Sequence, residues 1–172
     1  ASIETVMIVC VGLFSVLKLI RDTTKLERVE EKLRKEKQFN DTLIQASPAF
    51  FEVIDAEGKI RMMNESMLLA LGYNQDQISD HDYLTTFVPE CDRAPLFEIF
   101  EKLAINHEPT LNENRILTSD GRELLVEWHG RPVFKENGQF DFFFGVGIDI
   151  TERKRAEQVL KEYSKRLEEM VE

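Results

Sequence analysis

The chain has 172 residues, which suits one domain with extensions, and its hydrophobic content of 42% with twelve Phe is enough for a core. The formal net charge of -10 argues against nucleic acid as a partner, because phosphate binding needs a basic surface. The acidity is concentrated in residues 47–148, which hold 18 acidic and 8 basic residues. The two cysteines, Cys10 and Cys91, form no metal, redox or disulfide spacing, so a reducing cytosol is the expected compartment for the globular part.

Residues 1–20, ASIETVMIVCVGLFSVLKLI, are almost wholly apolar. The stretch approaches the roughly 20 residues that span a bilayer, provided that Lys18 extends to the interface. Arg21, Lys25 and Arg28 follow, and by the positive-inside tendency they place the downstream chain in the cytoplasm. We therefore expect a transmembrane or membrane-proximal helix, and a protein located at the inner or cell membrane. The alternative is a helix that pairs with a partner through its apolar face.

Residues 21–46 form a linker without Gly or Pro that is rich in good helix formers. Most of its heptad positions are apolar, and two of them, Glu36 and Asn40, are polar. The positions are Leu19, Leu26, Val29, Leu33, Glu36, Asn40 and Leu43. This spacing predicts a short two-stranded coiled coil, and the alternative is a solvated single helix. Ser47-Pro48 ends the helix, because the residue before a proline is pushed out of the helical region.

The segment from Pro48 to Pro89 has a mixed pattern. FFEVIDAEGKIRMMN is typical of two short strands joined by a turn at Asp55 to Gly58. ESMLLALGY then predicts a short helix that Gly72 closes. The remainder, up to Pro89, is rich in turn residues and predicts only brief helices.

One amphipathic helix and three strands complete the central region. CDRAPLFEIFEKLAINHE carries apolar residues at helical spacing. The strands are LNENRILTS, ELLVEWHGRPVF and FDFFFGVGIDI, separated by the dipeptides Asp120-Gly121 and Asn137-Gly138, which are strong hairpin signals. The order of strand, strand, several helices and three strands predicts an α+β fold, with a five-stranded antiparallel sheet and its helices on one side.

Residues 151–172 again lack Gly and Pro. Apolar residues follow at intervals of four, three, four and three: Ala156, Leu160, Tyr163, Leu167 and Met170. This is the better of the two heptad patterns and predicts a coiled-coil-like helix that begins at Thr151.

Four stretches together resemble the PAS sensor domains of bacterial and archaeal signalling proteins. They are LIQASPAFFEVIDAEGKIRMMNESMLLALGYNQDQIS, FVPECDRAPLF, LTSDGRELLVEW and GVGIDITERKRAE. The resemblance covers about residues 40 to 157 and depends on the order and spacing of these pieces. It implies a five-stranded antiparallel sheet around a small apolar pocket, with flanking helices that pair and carry signals to an output domain. We expect the PAS domain itself at residues 47–150.

The resemblance also assigns a role to the Asp-x-Thr at the end of the last strand, here Asp149 and Thr151. In the family this pair ties the sheet to the following helix through bonds to backbone donors and to a basic residue just after it, such as Arg153. These three residues are the candidates for signal relay. The alternative is that Asp149 and Thr151 only cap a helix.

Strand alternation indicates which side chains would line a pocket. Leu124, Val126 and Trp128 share one face, which should point inward, and Phe143, Gly145 and Gly147 share a face of the last strand. Glycines there would either leave room for a ligand or mark a bend of the sheet. The full set of pocket candidates is Met62, Phe100, Leu103, Leu124, Val126, Trp128, Phe143 and Gly145.

No cofactor is assigned. Haem PAS domains place a His on the long helix, about seven residues after a loop proline, and this chain has Leu96 at that position. Of its histidines, His107 comes at the helix end and His129 should point outward. Flavin-binding relatives carry an Asn-Cys-Arg motif, whereas Cys91 lies in PECDR. A small organic ligand, or none, is what we expect.

No catalytic motif is present either: the chain has no nucleophile elbow, phosphate-binding glycine loop or HExxH. The sequence therefore predicts a non-enzymatic sensing and relay module of a membrane-tethered signalling protein such as a histidine kinase. The expected partners are a second copy, paired through the flanking helices, and a C-terminal output domain. The alternative functions are a ligand-free dimerisation module and an enzyme that holds a substrate in the same cupped sheet.

Overall fold

The structure, a computed structural model, describes the backbone of residues 3–106 and 108–171 and the side chains of residues 17–105 and 108–170. Contacts divide the chain into a first unit that ends at Leu43 and a second unit that begins at Ile44. The first unit consists of the greater part of one long helix, α1 (Ile3–Ala46).

The expected membrane span, residues 1–20, lies largely outside the residues whose side chains are described. Among the described side chains, no helix is both long enough and apolar enough to cross a bilayer. The membrane span and the segment boundaries derived from the sequence therefore stay predictions.

The second unit has the predicted α+β architecture. Its elements are β1 (Phe50–Asp55), β2 (Ile60–Met63), α2 (Glu65–Leu71), α3 (Gln75–Ile78), α4 (Tyr83–Phe87), α5 (Glu90–Asn106), β3 (Thr110–Leu117), β4 (Glu123–Phe134), β5 (Phe140–Asp149) and α6 (Thr151–Val171). The five strands form one antiparallel sheet in the order β2-β1-β5-β4-β3. The predicted order of strands and helices is thus confirmed.

Local signals in the sequence account for the ends of several elements. Asn64 accepts a hydrogen bond from the Met67 N–H and caps α2, while Gly72 ends that helix in the left-handed conformation with φ +76°. The β4–β5 hairpin turns at Gly138, whose φ of +81° also favours glycine. Position and residue type therefore agree at each of these three sites.

The core lies between the inner face of the sheet and the helices. Side chains less than 3% exposed come from every layer and include Ile54, Ile60, Met67, Leu71, Ile78, Tyr83, Phe87, Leu103, Ile116 and Val126. Burial of this apolar surface supplies the main driving force for folding, at about 25 cal/mol per Å² removed from water.

Candidate functional site

Most of the predicted pocket residues lie between the inner face of the sheet and α5. The strands alternate as expected, since Val126 and Trp128 are buried whereas His129 is exposed. The candidates that are buried or partly buried there are Phe100, Leu103, Leu124, Val126, Trp128, Phe143 and Gly145. Their location therefore agrees with the alternation argument, and their contact with a ligand stays a prediction.

Met62 does not lie where the sequence analysis placed it. Ile54 pairs with Ile60, but Val53 pairs with Met62, because the register shifts at a bulge between Val53 and Ile54. The shift turns Met63, which is 1% exposed, towards the core. Met62 is half-buried beside Val53, so the inward position belongs to Met63.

The inner chamber, as we name the space between the sheet and α5, is almost completely filled. Its volume is about 10 Å³, roughly what one water molecule requires. It is lined by Glu52, Tyr83, Leu96, Phe100, Asn112, Asn114, Trp128 and Phe143. The described side chains themselves occupy the space that an inner ligand would need.

The inner-face glycines make room for the protein's own side chains. A Cβ at Gly147 would lie 2.6 Å from the Trp128 ring, and a Cβ at Gly145 would lie 2.9 Å from Cγ of Glu52. The space beside both glycines is thus taken by Glu52 and Trp128, and contact of Gly145 with a ligand stays a prediction. Because glycine has no Cβ, large side chains of the neighbouring strands can lie directly against the backbone of β5.

Glu52 is the least expected residue of the inner chamber. Its side chain is 2% exposed, and Oε2 has no hydrogen-bond partner among the described residues. Burial raises the pKa of the Glu52 carboxyl to about 8, although a hydrogen bond with Tyr83 opposes the rise. Burial, followed by the Glu52 charge, also raises the pKa of Tyr83. Glu52 is therefore a neutral acid in the folded core below about pH 8.

Nε1 of Trp128 is a second buried polar atom without a hydrogen-bond partner in the described part of the chain. Trp128 lines the inner chamber together with Glu52 and Asn114. Glu52 was missed by the sequence analysis, although alternation in FFEVID places it on the same face as Phe50 and Ile54.

An open cleft of about 310 Å³ lies beside the inner chamber, within the size range of small-molecule sites. Its floor is apolar and consists of Ile54, Leu84, Phe97, Phe100, Leu103, Phe140 and Phe143. Its rim carries four carboxylates: Asp55, Glu57, Asp82 and Glu101. Three of the predicted pocket residues, Phe100, Leu103 and Phe143, thus face this cleft as well as the core.

The joint between β5 and α6 is tied to the neighbouring strand. Thr151 N–H donates to Asp149 Oδ1 at 2.9 Å, and Leu125 N–H donates to Thr151 Oγ1 at 2.8 Å. Ile150, which is 2% exposed, donates its N–H to the Leu125 carbonyl at 2.9 Å. The first turn of α6 is therefore held by hydrogen bonds to β4.

Arg153 has a different partner from the one expected. Its guanidinium contacts Glu127 Oε2 of β4 at 3.3 Å instead of Asp149. Lys154 adds a contact of 2.9 Å to Glu113 of β3. Two ion pairs therefore link the start of α6 to strands that are far from it in sequence.

Asn64 connects the chain before β1 to the sheet and to α2. It is fully buried; Oδ1 accepts from the N–H groups of Phe51 at 3.0 Å and Met67 at 3.3 Å. Nδ2 donates to the carbonyls of Ala49 at 2.9 Å and Ile44 at 3.1 Å. The sequence analysis missed this residue, because three of these partners lie 13 to 20 residues away.

The residues weighed for cofactors occupy ordinary positions. Leu96 is buried in the core and His129 is exposed, while His107 lies outside the described residues. Cys91 is exposed, and its Sγ lies 3.1 Å from the Arg115 guanidinium. Arg115 also pairs with Asp92, chiefly through a hydrogen bond that lowers the pKa of the Asp92 carboxyl.

Comparisons with known proteins agree with this architecture. A family model described as PAS fold matches residues 44–155. The cell-division control histidine kinase PdhS of Brucella abortus is 32% identical over 124 residues, which cover 67% of this chain and 11% of PdhS. The uncharacterized protein y4lL of Sinorhizobium fredii is 25% identical over 139 residues, which cover 81% of this chain and 17% of that protein. The chain thus spans less than a fifth of the length of these curated relatives.

A solved structure shows the same fold at lower sequence identity. It is the PAS domain of an HTR-like protein from Haloarcula marismortui, with 23% identity and a TM-score of 0.62. The match covers 72% of this chain and 99% of the other.

Proposed function

This chain belongs to the PAS family, and on that premise we propose that it is the signal-sensing and relay module of a histidine kinase or a related signalling protein. The output domain would follow α6, and any catalysis would reside there. The similarity to the histidine kinase PdhS supports this choice of output. We also propose a cytoplasmic PAS domain tethered to the membrane through residues 1–20, because that stretch is apolar and basic residues follow it.

The observation that carries the relay proposal is the tight joint after Asp149. Residues Ile150 and Thr151 bond to the backbone of Leu125, so α6 begins on the sheet without a flexible loop. A shift of β5 would therefore move the first turn of α6 instead of being absorbed by a linker.

Replacing Asp149 with Ala should loosen the start of α6 and leave the sheet intact. Loss of the bond to Thr151 N–H removes about 1 kcal/mol, so amide exchange in residues 151–160 should become roughly fivefold faster. Hydrogen exchange with mass spectrometry measures this on the full chain. Asp141→Ala is the matched control, because this residue lies at the far end of β5 and pairs with Lys135. Equal protection of residues 151–160 in wild type and Asp149→Ala would refute the relay role.

The second candidate function is a ligand-free module for dimerisation, and the nearly filled inner chamber favours it. Apolar side chains on α6 are exposed at heptad spacing: Leu160 at 68%, Tyr163 at 62%, Leu167 at 58% and Met170 at 66%. The outer face of the sheet adds Ile148 at 49%. We propose pairing of two copies through the flanking helices under either function.

The double variant Leu160→Ser, Leu167→Ser should weaken dimerisation on the order of 100-fold, because each exposed Leu would bury its side chain in a coiled coil. Sedimentation equilibrium at several protein concentrations measures the dissociation constant. Lys161→Ser, a change of an exposed charged residue on the same helix, should leave it unaltered. A dimer that tolerates the double variant would exclude α6 as the pairing surface.

A further inference from the structure

From the chemistry of the open cleft, we propose that the domain binds a small organic cation there: an ammonium or guanidinium group carried on an apolar body. The cleft lies between α5, the N-terminal turn of α4 and the β1–β2 turn. This inference rests on the proposed sensor function, because it names the class of ligand that the module would sense.

The rim of the cleft has an excess of negative charge. Four of its lining residues are carboxylates, and none is Lys, Arg or His. Two of the four are already engaged: Asp55 pairs with Arg61 at 2.7 Å, and Asp82 Oδ1 accepts bonds from Thr85. The side chains of Glu57 and Glu101 have neither an ion pair nor a hydrogen bond within the described part of the chain. These two free carboxylates are the proposed partners of the cationic group.

The floor of the cleft suits the apolar body of such a ligand. Phe97 lines the cleft and is 52% exposed, so its ring is accessible to a ligand. Phe100 and Phe140 lie in the same floor. Phenylalanine faces attract cations as well as apolar groups, so the floor and the rim select the same class of molecule.

Other ligand classes fit the cleft less well. An anion would be repelled by the rim, which offers no basic group. A metal ion needs converging ligands, and no three acidic, His or Cys residues of the described chain gather to hold one. A neutral apolar molecule would cover the floor but gain no attraction from Glu57 and Glu101, which are exposed to water.

The position of the cleft connects it to the relay. Phe140 and Phe143 belong to β5, whose other end, Asp149, adjoins α6. The rings of Phe100 and Phe143, with centroids 5.1 Å apart, separate the cleft from the inner chamber. A ligand against these rings would therefore press on the strand that leads into α6.

Three probes with one apolar body test the proposal on the full chain: 4-phenylbutylamine, 4-phenylbutan-1-ol and 4-phenylbutyrate. Isothermal titration calorimetry gives the affinity of each. The amine should bind at least about tenfold more tightly than the alcohol, because attraction to Glu57 and Glu101 adds about 1.4 kcal/mol to the binding free energy of the cation alone. Phenylbutyrate should bind most weakly, because the same two side chains repel it. The preference should shrink at high salt.

Four single variants locate the cationic group. Glu57→Gln and Glu101→Gln should each weaken amine binding about two- to fivefold and leave alcohol binding unchanged. Glu98→Gln, an exposed position on the same helix outside the cleft, is the matched control and should bind the amine like wild type. Equal affinity for all three probes, no amine binding, or loss of binding only in Glu98→Gln would overturn the proposal. A loss confined to Glu52→Gln would also overturn it, by placing the cation in the inner chamber.

Different results would contradict the relay proposal and the proposed ligand class. If the amine does not bind but Asp149→Ala still loosens residues 151–160, the ligand class is wrong and the relay stands. If the amine binds at Glu57 and Glu101 but exchange in residues 151–160 is the same in wild type and Asp149→Ala, the cleft is a binding site and the relay is wrong.

Discussion

Replacing Glu52 with Gln is expected to raise the free energy of unfolding at pH 8 by several kcal/mol. The wild-type carboxyl is buried and unpaired at Oε2, and burial raises its pKa from 4.5 to about 8. Gln keeps the shape and an oxygen that can accept from the Tyr83 hydroxyl, but it carries no ionisation. The wild type loses stability at neutral and alkaline pH because its folded state must keep Glu52 protonated, and the variant should not have this loss.

The direction of this stability change follows from the protonation of Glu52 in the folded and in the unfolded chain. Below about pH 4.5, Glu52 is protonated in both the folded and the unfolded chain, and the stability contribution is at its full value. Between pH 4.5 and about 8, the unfolded chain releases the proton while the folded chain retains it. Each pH unit in that window lowers the free energy of unfolding by about 1.4 kcal/mol, to a total on the order of 5 kcal/mol at pH 8.

Urea denaturation at pH 5, 6, 7 and 8 checks this prediction. The difference between Glu52→Gln and wild type should grow with pH from less than about 1 kcal/mol at pH 5 to several kcal/mol at pH 8. The control is Glu136→Gln, at an exposed position in the β4–β5 turn, which should change the free energy of unfolding by less than about 0.5 kcal/mol. A constant difference between Glu52→Gln and wild type at all four pH values would show that Glu52 does not titrate as a buried acid.

Replacing Asn64 with Ala is expected to lower the free energy of unfolding by about 3 to 4 kcal/mol. The change leaves the partly buried N–H of Phe51 and carbonyl of Ala49 without the partner that the fully buried Asn64 supplies. It also removes the cap of α2, which is worth about 1 kcal/mol. Thermal and urea denaturation measure the loss.

The matched control for Asn64 is Asn74, which caps α3 with the same side chain but is exposed. Asn74→Ala should lose only about 1 kcal/mol, because water replaces the lost partner. Asn64→Asp keeps the acceptor and loses the donor, so it should lie between wild type and Asn64→Ala at neutral pH. Equal losses in the two Ala variants would mean that Asn64 acts only as a cap and does not anchor the segment before β1.

Local patterns in the sequence predicted the order of the helices and strands and most of the residues that face the core. Alternation in ELLVEWHGRPVF placed Val126 and Trp128 inside and His129 outside, since neighbouring residues of a strand point to opposite faces. It failed at Met62, because a bulge depends on the pairing of β1 with β2 and leaves no clear local signal. The partner of Arg153 could not be predicted for a similar reason, since Glu127 lies 26 residues away.

The sequence by itself determined the α+β fold, the family resemblance, the hairpin turns and the abrupt start of α6 at Thr151, because each depends on residues close together in the chain. Only the tertiary structure decided what fills the space above Gly145 and Gly147, which carboxylates are buried or free, and where a ligand can enter. Those features arise where α4, α5 and non-adjacent strands meet. Burial, and with it the raised pKa of Glu52, depends on the side chains that the whole fold packs around a residue.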